Sequence, residues 1–274
     1  MQSREVTATE DRAYHDFLRD QVAASCRMLA QHGLVKGSTG HVSTRVPGTN
    51  DILIRGRPHV DKGLRFAEPS CVIRVGEDAR PVGDTYGVSR VSEIYLHTEV
   101  YKRRPEVNAV IHAHPPGALL CTIARIKLRP IFGGFEPGGM RMAEAGVPEY
   151  ERSITLHTLE ETTPMLDVMG SEDVILLSRH GTLVTGRSVQ EATARAITFE
   201  TLCRLNWLAC LQGDPGEILD VDKQEFARRV RVAAEARGRD GGGDEERGGS
   251  WNYLTALLDS GAVHFDDVGL GFRF

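Results

Sequence analysis

Two histidines separated by one residue are the first feature of this sequence that could bind a metal ion. His112 and His114 lie in the segment 109–114, which is apolar, contains β-branched residues and is followed by two prolines. These features predict a buried strand. Side chains two positions apart in a strand point to the same side, about 6–7 Å from each other along the chain. The pair could therefore hold one divalent metal ion, although one histidine in the core and one at the strand's end would give the same pattern.

A further histidine and a carboxylate occur where they could complete such a site. His180 follows the apolar stretch 173–178, a second predicted buried strand, and precedes a glycine. Glu93 lies in a segment of helical periodicity, 89–104, four residues before His97. That spacing puts the two side chains on one face of a helix. The alternative is that they are an exposed pair on the helix surface without a function.

A glycine- and serine-rich turn, 36–41, comes before a strand predicted at 42–46. Such a turn can offer backbone N–H groups and hydroxyls to an anion, but an ordinary tight turn has the same composition. The polar loop 56–66, after the next predicted strand, is rich in arginine and lysine. Near a site these cations could bind a carboxylate, whereas elsewhere they would only face solvent.

Composition and charge exclude several classes of function. The chain has 274 residues, of which 41% are hydrophobic, and its net charge is −5. This is enough apolar sequence for a substantial core, and without a dense basic cluster nucleic acid is not expected as a partner. No stretch approaches the ~18 apolar residues of a membrane span, so no membrane partner is expected. Five scattered cysteines without a CxxC pair indicate reduced thiols, and we expect a cytoplasmic protein.

The rest of the pattern predicts a mixture of helices and strands. Helices are expected at 10–32, 89–104, 117–123, 189–211 and 222–237. Strands are expected at 42–46, 51–55, 70–75, 109–114, 128–132 and 173–178, with a hairpin arm at 182–186. The Gly- and Pro-rich stretch 133–148 is expected to be a long loop that could line or cover a site.

Four motifs occur in an order that resembles the class II aldolase and adducin family. They are S-T-G-H-V-S at 38–43, S-E-I-Y-L-H at 92–97, H-A-H-P-P at 112–116 and R-H-G at 179–181. Each motif is short, but the ordered set is specific, and the resemblance covers roughly residues 20–212. It implies an α/β fold, a three-layer α-β-α sandwich around a mainly antiparallel central sheet. It also implies a homotetramer with sites at subunit interfaces.

The same resemblance implies one divalent metal ion, zinc, manganese or iron, as the cofactor. Its ligands would be His112, His114 and His180, which leave coordination positions open for substrate or water. Glu93 occupies the place of the family's acid or base, and it is expected as a fourth ligand when no substrate is bound.

Departures from the sugar-phosphate enzymes of the family change the expected substrate. Where those enzymes have Gly-Asn-(Ile/Leu)-Ser and Ser-Ser-Glu, positions 40–43 read Gly-His-Val-Ser and 91–93 read Val-Ser-Glu. The changes remove donors to a phosphate, and the chain is nearer the branch of hydroxy-aromatic acid decarboxylases and of aminocoumarin-pathway enzymes with non-heme iron. An imidazolium at His41, with arginines from 55–65, is expected to hold a carboxylate instead. The residues expected to bind the small-molecule substrate are Ser38, Thr39, Gly40, His41, Arg57, Ser92 and Arg179.

The resulting expectation is a metal-dependent lyase that cleaves a C–C bond. A decarboxylase of an unphosphorylated hydroxy-aromatic acid or hydroxy acid is favoured, in which the metal stabilises charge on an oxygen next to the broken bond. Glu93 would move a proton, and a raised pKa would suit that role. Three alternatives stay open: an Fe(II)-dependent non-heme oxygenase, a classical aldolase, and a non-catalytic adducin-like binding protein.

Glycine content suggests how the chain is divided. Residues 1–237 are expected to form the class II aldolase-like catalytic domain, and 238–250 a flexible Gly-rich linker. The remaining segment, 251–274, begins with a short helical pattern and is too short to build a core of its own. It is therefore predicted to be a tail that docks on the core or on a neighbouring subunit.

Overall fold

One seven-stranded sheet organises the described part of the chain. The structure, a computed structural model, describes residues 8–240 and 249–261. The strands are β1 (His41–Arg45), β2 (Ile52–Arg55), β3 (Val72–Val75), β4 (Ala109–Ala113), β5 (Glu149–Tyr150), β6 (Val174–Leu177) and β7 (Gly181–Gly186). The helices are α1 (Ala8–Gln31), α2 (Tyr95–Arg103), α3 (Pro116–Ala124), α4 (Pro137–Ala145), α5 (Leu159–Met169), α6 (Val189–Gln212), α7 (Asp220–Asp240) and α8 (Gly249–Asp259).

The strand order is β3-β2-β1-β4-β7-β6-β5. Every neighbouring pair is antiparallel except β5 and β6, which are parallel, so the expected mainly antiparallel sheet is confirmed. In the pairing of β1 with β4, His41 lies opposite His112. This register places the turn before β1 next to the predicted metal ligands.

Helices cover both faces of the sheet, which confirms the three-layer sandwich. One core cluster joins α1, α3, α4 and α6 to one face of the sheet and includes Ile111. The other joins α2 and α5 to the opposite face and includes Val110. Because side chains alternate along a strand, His112 lies on the same face as Val110, the face that α2 covers.

Most of the predicted elements are found, but two predictions in the middle of the chain are wrong. Residues 128–132 do not form a strand, because the side chain of Asn206 takes both backbone groups of Arg129: its Oδ1 accepts from the amide at 2.9 Å and its Nδ2 donates to the carbonyl at 3.2 Å. The supposed loop 133–148 contains α4, which begins where the Glu136 side chain accepts from the Gly138 amide. The sequence reading also missed α5 and the short β5.

The C-terminal helices cover part of the segments expected as linker and tail. Helix α7 extends into the first residues of the expected linker, and α8 begins at its end. Trp251 of α8 packs against the core on the α1 side of the sheet, and Leu254 of the same helix is buried. Residues 241–248 and 262–274 lie outside the described ranges, and the division into catalytic domain, linker and tail stays a prediction. Among the helices that are described, none combines the length and the apolar character needed to cross a membrane.

Candidate metal centre

Ends of neighbouring elements bring the four predicted metal ligands together. His112 is the fourth residue of β4, His114 directly follows that strand, His180 lies in the turn between β6 and β7, and Glu93 precedes α2. One ring nitrogen of each histidine and one carboxylate oxygen all lie within 4.8 Å of one another. The arrangement could hold one metal ion.

The glycine after His180 is needed for this convergence. A Cβ on Gly181 would overlap the carbonyl oxygen of Ala113, at the end of β4. A larger residue would therefore push the turn between β6 and β7 away from β4 and would move His180 away from His112.

The ring of His112 is held in one orientation. Its Nδ1 donates to the carbonyl oxygen of Thr182 at 2.9 Å, so its Nε2 is the ring nitrogen that faces the other three side chains. That Nε2 lies 3.0 Å from Nε2 of His114 and 3.4 Å from Oε2 of Glu93. Metal-binding histidines are commonly oriented by such a bond from the other ring nitrogen to a backbone carbonyl.

Glu93 is also held by the backbone. Its Oε1 accepts from the Leu156 amide at 2.9 Å and lies 3.7 Å from Nε2 of His180. Burial alone would raise the pKa of Glu93, but the hydrogen bond and charge of His112, the Leu156 amide and the charge of His180 lower it to about 2. The raised pKa expected for an acid is therefore not found, and Glu93 is an ionised carboxylate.

The donor set fits a divalent metal. Nε2 of His180, which faces Glu93, is buried and makes no hydrogen bond in the described part of the chain, although buried polar groups are normally paired. Burial and the charges of neighbouring histidines lower the pKa of His114 to about 3 and also lower the pKa of His180. Neutral imidazoles are the form that binds metals, and a set of three histidines with one carboxylate suits zinc, manganese or iron.

A second pair of histidines lies beside the metal ligands. The ring centroid of His41 is 5.0 Å from that of His112, and His41 Nδ1 is 2.9 Å from Nε2 of His97. Burial, followed by the charges of His112 and His97, lowers the pKa of His41 well below its usual value. The prediction of an imidazolium at His41 is therefore wrong, because the lowered pKa makes this residue a neutral imidazole. The sequence did not decide whether His97 is exposed, and in the structure its side chain is completely buried.

The turn before β1 packs closely on the centre. Gly40 has a φ of +87°, and a Cβ there would lie 3.0 Å from the carbonyl oxygen of His112. Ser38 is partly exposed, and the hydroxyl of Thr39 donates to the Lys36 carbonyl within its own turn at 2.7 Å. Thr39 therefore helps to hold the turn that carries Gly40.

Three predicted substrate-binding residues lie at more open positions. Ser92 and Arg179, next to Glu93 and His180 in the chain, are exposed, and Arg57 is partly exposed. Arg55 differs from Arg57, because its side chain is 1% exposed and ion-paired with Asp61. Side chains alternate along β2, and Arg55 lies on the side of the strand that faces α1, away from the predicted metal ligands.

Comparison with known proteins agrees with this architecture. Residues 20–207 match the model of the family described as class II aldolase and adducin N-terminal domain. A 3,4-dihydroxyphthalate decarboxylase of Arthrobacter keyseri is 37% identical over 216 residues, which are 78% of this chain and 86% of that protein. Another, from Terrabacter sp., is also 37% identical, over 76% of this chain and 87% of that protein.

A solved structure shows the same fold. An aldolase II superfamily protein from Pseudomonas syringae superposes with a TM-score of 0.76 at 20% identity, and the match covers 94% of this chain and 96% of that one. The family match spans most of the chain and includes all four residues of the candidate metal centre. The chain belongs to the class II aldolase and adducin family.

Proposed function

We propose that this chain is a metal-dependent decarboxylase that releases CO2 from an unphosphorylated hydroxy-aromatic acid of the 3,4-dihydroxyphthalate kind. The observation that carries the proposal is the cluster of Glu93, His112, His114 and His180, in which one donor atom from each lies within 4.8 Å of the others. The similarity to two 3,4-dihydroxyphthalate decarboxylases supports the substrate class. Retention of the complete donor set argues against a non-catalytic binding protein.

The three histidines would hold the metal, with Glu93 as a further ligand before substrate binds. A divalent ion supplies, when bound, a Lewis acid for oxygen atoms of the substrate. Zinc, manganese and iron all suit this donor set. The neutral histidines keep their ring nitrogens available, and the Leu156 amide keeps the Glu93 carboxylate in place.

Glu93 would move the proton that decarboxylation requires. Its carboxylate is ionised when substrate arrives, and it can accept the proton of a ring hydroxyl whose acidity a bound divalent ion would raise. It then returns that proton to the ring carbon that bears the carboxylate. The bond between this carbon and the carboxylate breaks, its electron pair stays with the ring, CO2 leaves, and a solvent proton restores the hydroxyl.

The remaining predicted residues would bind and orient the substrate. His41 as a neutral donor and Arg57 as a cation would hold a carboxylate oxygen, and Gly40 would let the turn approach closely. Thr39 supports that turn through its hydrogen bond, and Ser38 would contact the substrate beside it. Ser92 and Arg179 would contact the substrate from the exposed rim of the centre.

The proposal extends to assembly and location. A homotetramer with sites at subunit interfaces would let a neighbouring chain cover the exposed rim that Ser92 and Arg179 form. Light scattering coupled to gel filtration tests it. A cytoplasmic location accords with the five cysteines, all of which are free thiols.

Incubation with 3,4-dihydroxyphthalate in a sealed vessel tests the proposed activity, with CO2, aromatic product and dissolved oxygen measured together. We expect one CO2 per substrate without oxygen uptake, loss of activity with a chelator and recovery with added metal. Oxygen consumed in proportion to turnover would instead indicate the iron oxygenase. Cleavage of sugar phosphates alone would indicate an aldolase, and metal binding without turnover of any hydroxyaryl acid would indicate a binding protein.

A further inference from the structure

A line of hydrogen bonds leads from His41 into the interior of the protein. His41 Nδ1 lies 2.9 Å from His97 Nε2, His97 Nδ1 lies 2.7 Å from Ser43 Oγ, and Ser43 Oγ lies 2.8 Å from the hydroxyl of Tyr101. All four side chains are buried. His41 and Ser43 are two apart on β1, and His97 and Tyr101 are four apart on α2, so each pair shares a face of its own element. The line thus forms where a strand face and a helix face meet.

The Ser43 hydroxyl has one hydrogen and no other side-chain partner among the described residues, so with that hydrogen bonded the line can run in only two directions. In one, Tyr101 donates to Ser43, Ser43 donates to His97 Nδ1, and His97 Nε2–H donates to His41 Nδ1. In the other, every bond is reversed and the hydroxyl hydrogen of Tyr101 has to find another acceptor.

The surroundings of Tyr101 disfavour the reversed direction. Its hydroxyl has no second acceptor among the residues that the structure describes. The guanidinium of Arg45, 4.9 Å from the centre of its ring, carries donors only. A buried hydroxyl hydrogen without an acceptor is costly, so the direction that starts at Tyr101 is favoured.

We propose that Tyr101, Ser43 and His97 are positioning residues that fix His41 in the tautomer with its hydrogen on Nε2. His41 then presents a neutral N–H donor beside His112, and this Nε2 makes no hydrogen bond with any described residue. A fixed donor selects an oxygen that accepts, such as that of a carboxylate, over a group that can only donate. The role toward substrate rests on the proposed function, whereas the direction of the hydrogen bonds does not.

Nitrogen-15 NMR of the full-length, zinc-treated protein with labelled histidine reads the tautomer directly. The signals of His41 and His97 are assigned from their absence in His41→Asn and His97→Asn. We expect the hydrogen on Nε2 in both rings. A hydrogen on Nδ1 of His41 would overturn the proposal, whatever reaction the protein catalyses.

Variants at Ser43 test the line itself. Ser43→Ala leaves His97 Nδ1 without its donor, so we expect a mixture of His41 tautomers and a KM for 3,4-dihydroxyphthalate about fivefold higher, as for one lost hydrogen bond. Ser43→Thr keeps the hydroxyl and should restore both. Thr44→Val is the matched control, since it removes a neighbouring buried hydroxyl that bonds the Asn108 carbonyl instead. An unchanged tautomer in Ser43→Ala would refute the positioning role even if the protein proved inactive on this substrate.

Discussion

Substitution of Glu93 by glutamine separates metal binding from proton transfer. The amide oxygen of glutamine can still accept from the Leu156 N–H, which lies 2.9 Å from the present Oε1, so the local structure should be kept. The three histidines also remain, so we expect Glu93→Gln to bind one metal ion per chain at saturating metal. What is lost is a base, and the side chain can no longer take or return a proton.

The expected loss of turnover follows from that chemistry. Positioned acid–base groups contribute roughly 10²- to 10⁴-fold to a rate, so kcat of Glu93→Gln should fall by at least about 100-fold, with a smaller change in KM. Initial rates of CO2 release from 3,4-dihydroxyphthalate, measured with metal content on the same samples, provide the assay.

A second buried carboxylate, Glu99 in α2, provides the control. Glu99 is paired with Lys102 at 2.7 Å and is not among the metal ligands, so Glu99→Gln should keep turnover within a few-fold of the parent chain. Full activity in Glu93→Gln would refute the assigned role. Loss of metal together with activity would show that Glu93 is needed as a ligand and not mainly as a base.

Three further changes have defined outcomes. His112→Ala should lose metal and CO2 release together, and metal retained at the parent level would contradict the ligand assignment. Burial lowers the pKa of His97 from 6.5, its value in an unfolded chain, to about 3 in the folded protein. The unfolded chain therefore binds a proton below pH 6.5 while the folded protein does not, and the free energy of unfolding falls as the pH drops. Urea titrations of metal-free protein should show about 2 kcal/mol lost through His97 alone between pH 6.5 and 5, and a parent and His97→Gln with equal pH slopes would contradict this. Asp61→Asn leaves Arg55, 1% exposed, without its anionic partner and should cost about 3 kcal/mol in the same titration, whereas Asp78→Asn, in a pair on the surface, should cost under about 1 kcal/mol.

The sequence was informative about the metal centre because its ligands have local signals. The H-A-H spacing in an apolar strand put His112 and His114 on one side, and His180 followed a second apolar strand and preceded a glycine, a place where an α/β protein often binds a ligand. The ordered motifs then connected these segments to a known fold, from which the layer order and the mainly antiparallel sheet followed.

What the sequence could not provide depends on contacts between distant segments. Leu156 supports Glu93 through its backbone amide, and no side-chain pattern marks a residue that acts in this way. His97 faces β1 and not solvent because α2 lies on that face of the sheet, 56 positions along the chain from His41. The pKa of Glu93 likewise depends on its distances to His112 and His180, which only the folded chain sets.

The most direct measurement of the central claim is metal content by mass spectrometry on protein purified anaerobically without added metal, paired with CO2 release in an oxygen-free vessel. The account predicts one zinc, manganese or iron ion per chain and CO2 release from 3,4-dihydroxyphthalate. A chelator should remove the ion and abolish the release of CO2, and added metal should restore both. Release of CO2 by chelated, metal-free protein, or only after oxygen is admitted, would contradict it.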